Sequence, residues 1–137
     1  MEIEETIEIA RPVEDVHSYL CDPSKLPEWI GGLVDFELLP DGSFRHIMSM
    51  SGRKMPVVGR IESPSSTELV VMRVEGDLGV LESEHHLHTS DSGTRLMHRS
   101  KARIENMMIR MVLSGMKEAA RRRLREDLER LRDQLEG

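Results

Sequence analysis

The chain has 137 residues, a length typical of one domain, and its 38% hydrophobic and 32% charged residues are mixed as in a folded globular protein. A formal net charge of −6 excludes a general affinity for nucleic acid, because phosphate binding needs a concentrated basic surface. The single cysteine, Cys21, excludes an internal disulfide and a cysteine-rich zinc site. We therefore assign residues 1–137 to a single domain and expect no nucleic-acid partner.

The expected location follows from two features of the sequence. No apolar run approaches the roughly 20 residues that a membrane-spanning helix needs. The chain opens with Glu2, Glu4 and Glu5, whereas a secretory signal peptide opens with basic residues. The sequence therefore predicts a cytoplasmic protein without stable membrane insertion.

The first predicted elements are a strand and two short helices. Ile3, Ile7 and Ile9 stand among polar residues in an alternating pattern, which predicts a strand. After Pro12, apolar residues recur at helical spacing and predict a helix over residues 13–21. A second, shorter helix is expected to end at Gly31.

Six segments rich in β-forming residues follow, at 33–39, 43–50, 56–63, 68–75, 80–89 and 94–104. Clusters of turn-forming residues separate them at intervals of about ten residues. This spacing is typical of an antiparallel meander. The sequence therefore predicts one antiparallel sheet after the two short helices.

Everything after about Asn106 is predicted to be one long helix, since no proline interrupts it before the C-terminus. Its apolar residues recur every three or four positions, at Ile109, Leu113, Met116, Ala120, Leu124, Leu128, Leu131 and Leu135. We expect this stripe to lie on the sheet. A coiled-coil dimer is the rival explanation of so regular a stripe.

The start of this helix carries more apolar surface than the stripe requires. Met107, Met108, Met111 and Val112 point away from the stripe, and the chain as a whole has ten methionines but only one tryptophan. This extra surface either lines the mouth of a cavity, packs in an ordinary core or contacts a second copy of the chain. The sequence leaves these three alternatives open.

Three stretches of sequence, IARPVEDV at 9–16, LCDPSKLPEW at 20–29 and DSGTRL at 91–96, together with the order of elements, resemble the START-related or polyketide cyclase/dehydrase superfamily (SRPBCC). The resemblance covers essentially the whole chain. It implies an α+β helix-grip fold, in which a curved antiparallel sheet of six to seven strands wraps around a long C-terminal helix. Members bind lipids, sterols, polyketides, quinones or hormones, and a minority catalyse cyclisation or dehydration, so the resemblance implies a cavity for a small hydrophobic molecule.

Alternation within the last two predicted strands assigns their faces. Charged residues at alternate positions mark the solvent face of the last strand, so its inward residues are predicted to be Leu96, His98, Ser100 and Ala102. The same reasoning on the strand before it predicts inward positions at Leu81, Ser83, His85 and Leu87, and outward positions at Glu82, Glu84, His86 and His88. A shift of one residue would reverse both assignments.

His98 and His85 are the candidate catalytic residues, because imidazoles on neighbouring strands can act as general acid and base near neutral pH. In a binding protein the same imidazoles would hydrogen-bond a ligand carbonyl or hydroxyl. The alternative is that one is a core histidine satisfied by a backbone group and the other is partly exposed. The predicted ligand-binding residues are Leu81, Ser83, His85, Leu87, Leu96, His98, Ser100, Met108, Val112 and Met116.

The run His85-His86-Leu87-His88 also suggests a metal site, since imidazole is a common zinc ligand. Alternation places His85 on the opposite face from His86 and His88, so that one face holds at most two of them. The sequence therefore predicts no metal and no cofactor.

Three hypotheses for the function follow. The first is a binding or carrier domain for a small hydrophobic or amphipathic molecule, oriented by His98 and His85. The second is an enzyme of the cyclase or dehydratase kind, in which these histidines move protons next to a carbonyl. The third is an interaction module whose methionine-rich helix start contacts a membrane surface or forms a homodimer.

Overall fold

The computed structural model describes residues 2–50, 52–63 and 67–137, and its elements follow the predicted order. The strands are β1 (Glu2–Ile9), β2 (Val34–Leu38), β3 (Phe44–Met50), β4 (Arg53–Glu62), β5 (Leu69–Gly76), β6 (Gly79–Ser90) and β7 (Gly93–Ile104). The helices are α1 (Val13–Cys21), α2 (Leu26–Trp29), α3 (Met107–Gly115) and α4 (Lys117–Glu136), with a 3₁₀ turn at Pro23–Lys25.

All seven strands form one antiparallel sheet in the order β1-β7-β6-β5-β4-β3-β2. Six consecutive strands form the predicted meander, and β1 adds to its end by pairing with β7. The helices α1, α2 and α4 pack at the same side of the sheet, which gives the buried core. The predicted α+β helix-grip fold, with a sheet around a long C-terminal helix, is confirmed.

The register of β6 and β7 fixes which residues share a face. His85 pairs with His98, Ser83 with Ser100, and Leu87 with Leu96. Leu87 and Leu96 are completely buried, whereas His88 is exposed. The residues of β6 and β7 that alternation predicted to face inward therefore do so, and the predicted register is correct.

The prediction of a single helix from Asn106 onward is wrong in one respect, because the structure has two helices that meet at Met116. Met116 has φ −99° and ψ 8°, and its N–H donates to carbonyls of the preceding turn. Gly115 just before it has the weakest helix preference of any residue except proline, which favours a break here. The predicted stripe is fully buried only in α4, at Leu128 and Leu131, whereas no residue of α3 is buried.

Asp127 connects α4 to the end of α2 through hydrogen bonds. Its carboxylate accepts hydrogen bonds from the Gly31 N–H (3.1 Å) and from the Arg130 guanidinium (2.5 Å), and Arg130 also donates to the Trp29 carbonyl (3.0 Å). Burial raises the pKa of Asp127 despite these partners. The carboxylate therefore determines where the C-terminal helix meets Trp29.

Replacing Asp127 with alanine should lower the free energy of unfolding by about 2 kcal/mol, because the Gly31 N–H and the Arg130 guanidinium lose a partner. Urea denaturation followed by circular dichroism measures the change. Glu126→Ala, at the exposed neighbouring position, is the control and should change stability by less than about 0.5 kcal/mol. Equal losses in both variants would contradict the role assigned to Asp127.

Candidate ligand-binding site

A chain of four hydrogen-bonded side chains crosses the inner face of β6 and β7. His85 Nε2 lies 3.1 Å from His98 Nδ1, and His98 Nε2 lies 2.5 Å from Ser100 Oγ. Ser100 Oγ in turn lies 3.4 Å from Ser83 Oγ. His85 and His98, like Ser83 and Ser100, are cross-strand partners in the β6–β7 ladder, and His98 and Ser100 are two residues apart on the same face of β7. The structure thus joins the two candidate histidines to both serines that sequence analysis placed beside them.

Both histidines of this chain are neutral at physiological pH. Complete burial lowers the pKa of His85 to about 4. Burial, and secondarily the charge of His85, lower the pKa of His98 well below its ordinary value. One ring therefore donates an N–H to the lone pair of the other, and a hydroxyl completes the chain at Ser100.

Nδ1 of His85 and Nε1 of Trp29, close to this chain, are buried and have no hydrogen-bond partner among the described residues. The same holds for Nδ1 of His46, which lies on β3, three strands away from β6. Burial lowers the pKa of His85 and of His46, and nearby backbone groups of Val70 and Ile47 raise these pKa values by a smaller amount. Neither backbone group forms a hydrogen bond with the Nδ1 atom beside it. Native proteins leave few buried polar atoms unpaired, so these three atoms are unusual.

Trp29 and His46 bring aromatic surface to the same face. The Trp29 ring meets the His85 ring edge to face, with centroids 5.9 Å apart, and His46 is stacked on Phe44 at 6.3 Å. Neither residue is among the predicted site residues. The signal for His46 was its position two residues after the apolar Phe44 in a strand, which places both side chains on one face.

The inner face is covered unevenly. Helix α4 packs mainly on β1 and α2, and α1 lies over β5, β6 and β7. His85, Leu87 and Leu96 are buried beneath these helices, whereas Leu81 and Ser100, nearer the start of α3, are half-buried. The inner face is therefore closed at one end and accessible at the other.

The predicted ligand-binding residues divide into two groups. Those of β6 and β7 share the inner face, as described above, and surround the histidine chain. Met108, Val112 and Met116 are instead exposed by 77%, 54% and 43%. The structure leaves these three side chains outside the buried cluster.

Glu5 is an acidic residue that faces the inner side of the sheet. Glu5 is the cross-strand partner of His98 and lies on the inner side of β1. Its carboxylate accepts a hydrogen bond from Arg125 (3.0 Å) and forms an ion pair with Arg121 (3.6 Å). The alternation of Ile3, Glu5 and Ile7 indicated this face, and α4 supplies the charges that stabilise the inward carboxylate.

The outward histidines have separate surroundings. His86 Nε2 lies 3.1 Å from the Glu84 carboxylate, and His88 is exposed. Within residues 2–50, 52–63 and 67–137, no three His, Cys, Asp or Glu side chains come close enough together to hold a metal ion. In the same residues, no helix combines the length and the apolar character needed to cross a membrane.

The buried histidines should make the stability of the protein depend on pH. The pKa of His85 is about 4 in the folded protein against an ordinary 6.5, so the unfolded chain binds more protons between these values and stability is lost as the pH falls. Lowering the pH from about 7.5 to about 5 should reduce the free energy of unfolding by about 2 kcal/mol through His85 alone.

Urea denaturation at the two pH values tests this expectation. In His85→Gln the pH dependence should be smaller than in the wild-type protein, and in His98→Gln likewise, because each variant removes one depressed pKa. His88→Gln, on the exposed face of the same strand, is the control. If the free energy of unfolding depended on pH in both buried variants as it does in the wild-type protein, the buried histidines would not be the origin of that dependence.

Comparison with known proteins decides the family. The model of the family described as "Polyketide cyclase / dehydrase and lipid transport" matches residues 1–136. The chain belongs to this family. No curated protein matches this family member in sequence. The resemblance noted from the three sequence stretches is therefore confirmed over nearly the whole length of the chain.

Solved structures share the fold of this family member at low sequence identity. TTHA0849 from Thermus thermophilus is 16% identical, with 98% of this chain and 97% of that chain covered and a TM-score of 0.79. A START superfamily protein from Mycobacterium smegmatis is 18% identical, with 98% of each chain covered and a TM-score of 0.71. The di-domain ARO/CYC StfQ from the steffimycin biosynthetic pathway is 14% identical, with 96% of this chain and 49% of that chain covered and a TM-score of 0.69. These similarities establish the fold.

Proposed function

We propose that this protein binds a small hydrophobic or amphipathic molecule on the inner face of the sheet, where the face is accessible near Leu81 and Ser100. The observation that carries the proposal is that the buried nitrogen atoms Nδ1 of His85 and Nε1 of Trp29, whose rings are in contact, have no hydrogen-bond partner among the described residues. A ligand carbonyl or hydroxyl would satisfy such atoms, whereas the surrounding aliphatic side chains would bind its apolar body.

The protonation of the histidines supports a neutral ligand. Because His85 and His98 are uncharged at pH 7, neither supplies a cation to attract a carboxylate or phosphate at the centre of the site. The site offers the N–H and O–H dipoles of the hydrogen-bonded His85–His98–Ser100 chain. Such dipoles orient a polar group of the ligand without the desolvation penalty of a buried ion pair.

The low pKa of His85 favours binding over catalysis. A general base works best when its pKa lies near the working pH, and an imidazole with a pKa of about 4 is a weak proton acceptor at pH 7. The pKa of His98 is lowered in the same direction. A carrier role therefore agrees better with this site than the cyclase or dehydratase alternative.

Titration with Nile red, a neutral apolar dye whose fluorescence rises in apolar surroundings, tests the proposal. We expect saturable binding that Ser100→Trp weakens by about tenfold or more, because the indole would fill the accessible part of the inner face. Lys101→Trp adds the same side chain to the opposite face of the same strand and should leave the dye affinity unchanged.

Two controls keep this experiment decisive. Circular dichroism shows that both tryptophan variants are folded, and native mass spectrometry of the freshly purified protein reveals any small molecule already bound. Absence of saturable dye binding, together with no co-purified molecule, would contradict the proposal. So would equal weakening by Ser100→Trp and Lys101→Trp.

The exposed methionines of α3 favour a second candidate function, the formation of a homodimer. Met107, Met108 and Met111 are exposed by 67%, 77% and 71%, which is unusual for apolar side chains that lie side by side. Native mass spectrometry should then show a dimer that Met108→Gln combined with Met111→Gln converts to a monomer. A wild-type monomer at micromolar concentration would contradict this candidate.

A further inference from the structure

A groove of about 410 Å³ lies at the end of the sheet where β7 leads into α3. Glu82, Lys101 and Arg103, which line it, point to the outer face of the sheet by alternation, away from the histidine chain. Arg110 of α3 completes one wall, and Val80 and Ile104 contribute apolar surface. Ala102 and Ile104, which also line the groove, have the opposite parity on β7, so the groove extends around the end of the sheet while its charged strand residues lie on the outer face.

The charges of the groove are unbalanced. Four cationic side chains line it, at Arg73, Lys101, Arg103 and Arg110, but only two acidic ones, in a chain whose formal net charge is −6. Both acidic side chains already have partners, since Glu82 is paired with Arg73 at 3.4 Å and Glu2 with Arg99 at 3.3 Å. The excess positive charge is thus concentrated at Lys101, Arg103 and Arg110.

Among the described residues these three side chains form no close ion pair and no hydrogen bond, although Lys101 stands opposite Glu2 and Glu82 in the sheet and its charge helps to lower the pKa of Glu84. Most other arginines in the described chain are paired with a carboxylate. Unpaired cations that converge on one groove repel one another, and an anion bound between them would relieve that repulsion.

We infer that the groove formed by Lys101, Arg103 and Arg110 is a second binding site, specific for a phosphate monoester that carries an apolar group. A guanidinium presents paired N–H donors that match phosphate oxygens, and two guanidiniums beside an ammonium match the charge of a phosphate monoester. Val80 and Ile104 provide surface for the apolar group. The same chemistry occurs in a free phosphorylated molecule and in the headgroup of phosphatidic acid.

Binding of phenyl phosphate, followed by amide chemical shifts in ¹⁵N-labelled protein, tests the soluble source. We expect saturable shifts centred on Val80 and Ile104, and about a tenfold or greater loss of affinity in Arg103→Gln combined with Arg110→Gln. The matched control is Arg122→Gln combined with Arg123→Gln, which removes the same charge from exposed positions of α4. This control should change the affinity by less than about twofold.

Sedimentation with phosphatidylcholine vesicles, prepared with and without phosphatidic acid, tests the lipid source. Retention that requires both phosphatidic acid and the two groove arginines assigns the site to the headgroup, whereas phenyl phosphate binding without such retention assigns it to a free phosphate. Failure of both probes to bind, or equal losses in the groove and control variants, would overturn the inference. Nile red binding to the inner face should be the same in all these variants, which separates this test from that of the proposed function.

Discussion

Replacing Leu131 with alanine is expected to lower the free energy of unfolding by about 3 kcal/mol. Leu131 lies on α4, is completely buried, and belongs to the core formed between the helices and the sheet. The truncation removes apolar surface and leaves a cavity that the surrounding side chains cannot fill completely. Urea or thermal denaturation followed by circular dichroism measures the loss.

Leu38→Ala is the matched control for this substitution. Leu38 lies on β2 and is 45% exposed, so the same truncation there removes less buried surface and should change stability by less than about 1 kcal/mol. Similar losses at Leu131 and Leu38 would contradict the position of α4 in the core.

Gly93→Ala is expected to have a comparable effect, a loss of about 3 kcal/mol, for a different reason. Gly93 opens β7 with φ +140°, a conformation that residues with a side chain rarely adopt. A Cβ atom at this position would also lie 2.6 Å from the Ile9 carbonyl oxygen and 2.7 Å from the Arg11 nitrogen. Because both contacts are with backbone atoms, the end of β1 would have to move.

Gly42→Ala separates the two causes. Gly42 also has positive φ, +88°, but an added Cβ atom there would have no neighbour within 4 Å. Its loss should therefore be only about 1 kcal/mol, the cost of the backbone conformation alone. Equal losses in the two variants, measured by urea denaturation, would show that the close approach of β1 to Gly93 has no energetic consequence.

The regular patterns of the sequence predicted most of the fold. Alternation along β6 and β7 placed His85 beside His98, because one face of these strands is charged and a shifted register would have buried arginine. The bounds of α1 followed from Pro12 and from the spacing of its apolar residues. For the β6–β7 register and for α1, the local sequence pattern and the tertiary packing favour the same structure.

The sequence was least informative where a partner distant in sequence decides the outcome. Glu5 is polar and follows Glu4, yet it faces inward because Arg121 and Arg125 of α4 lie opposite it. The apolar stripe continued through Gly115 without a change of period, so the break at Met116 had no signal except the glycine itself. Trp29 was absent from the predicted site because its contact with His85 depends on how α2 packs on the sheet.

The pairing of β1 with β7 has a consequence for how the chain folds. Ile9 pairs with Thr94, so the first strand to be synthesised has no partner until the last strand of the sheet exists. Contacts between residues so distant in sequence slow folding, because a long loop must close before they form. During that interval Ile3, Ile7 and Ile9 lie on an unpaired strand, and slow synthesis or truncation before residue 93 would leave a segment prone to aggregation.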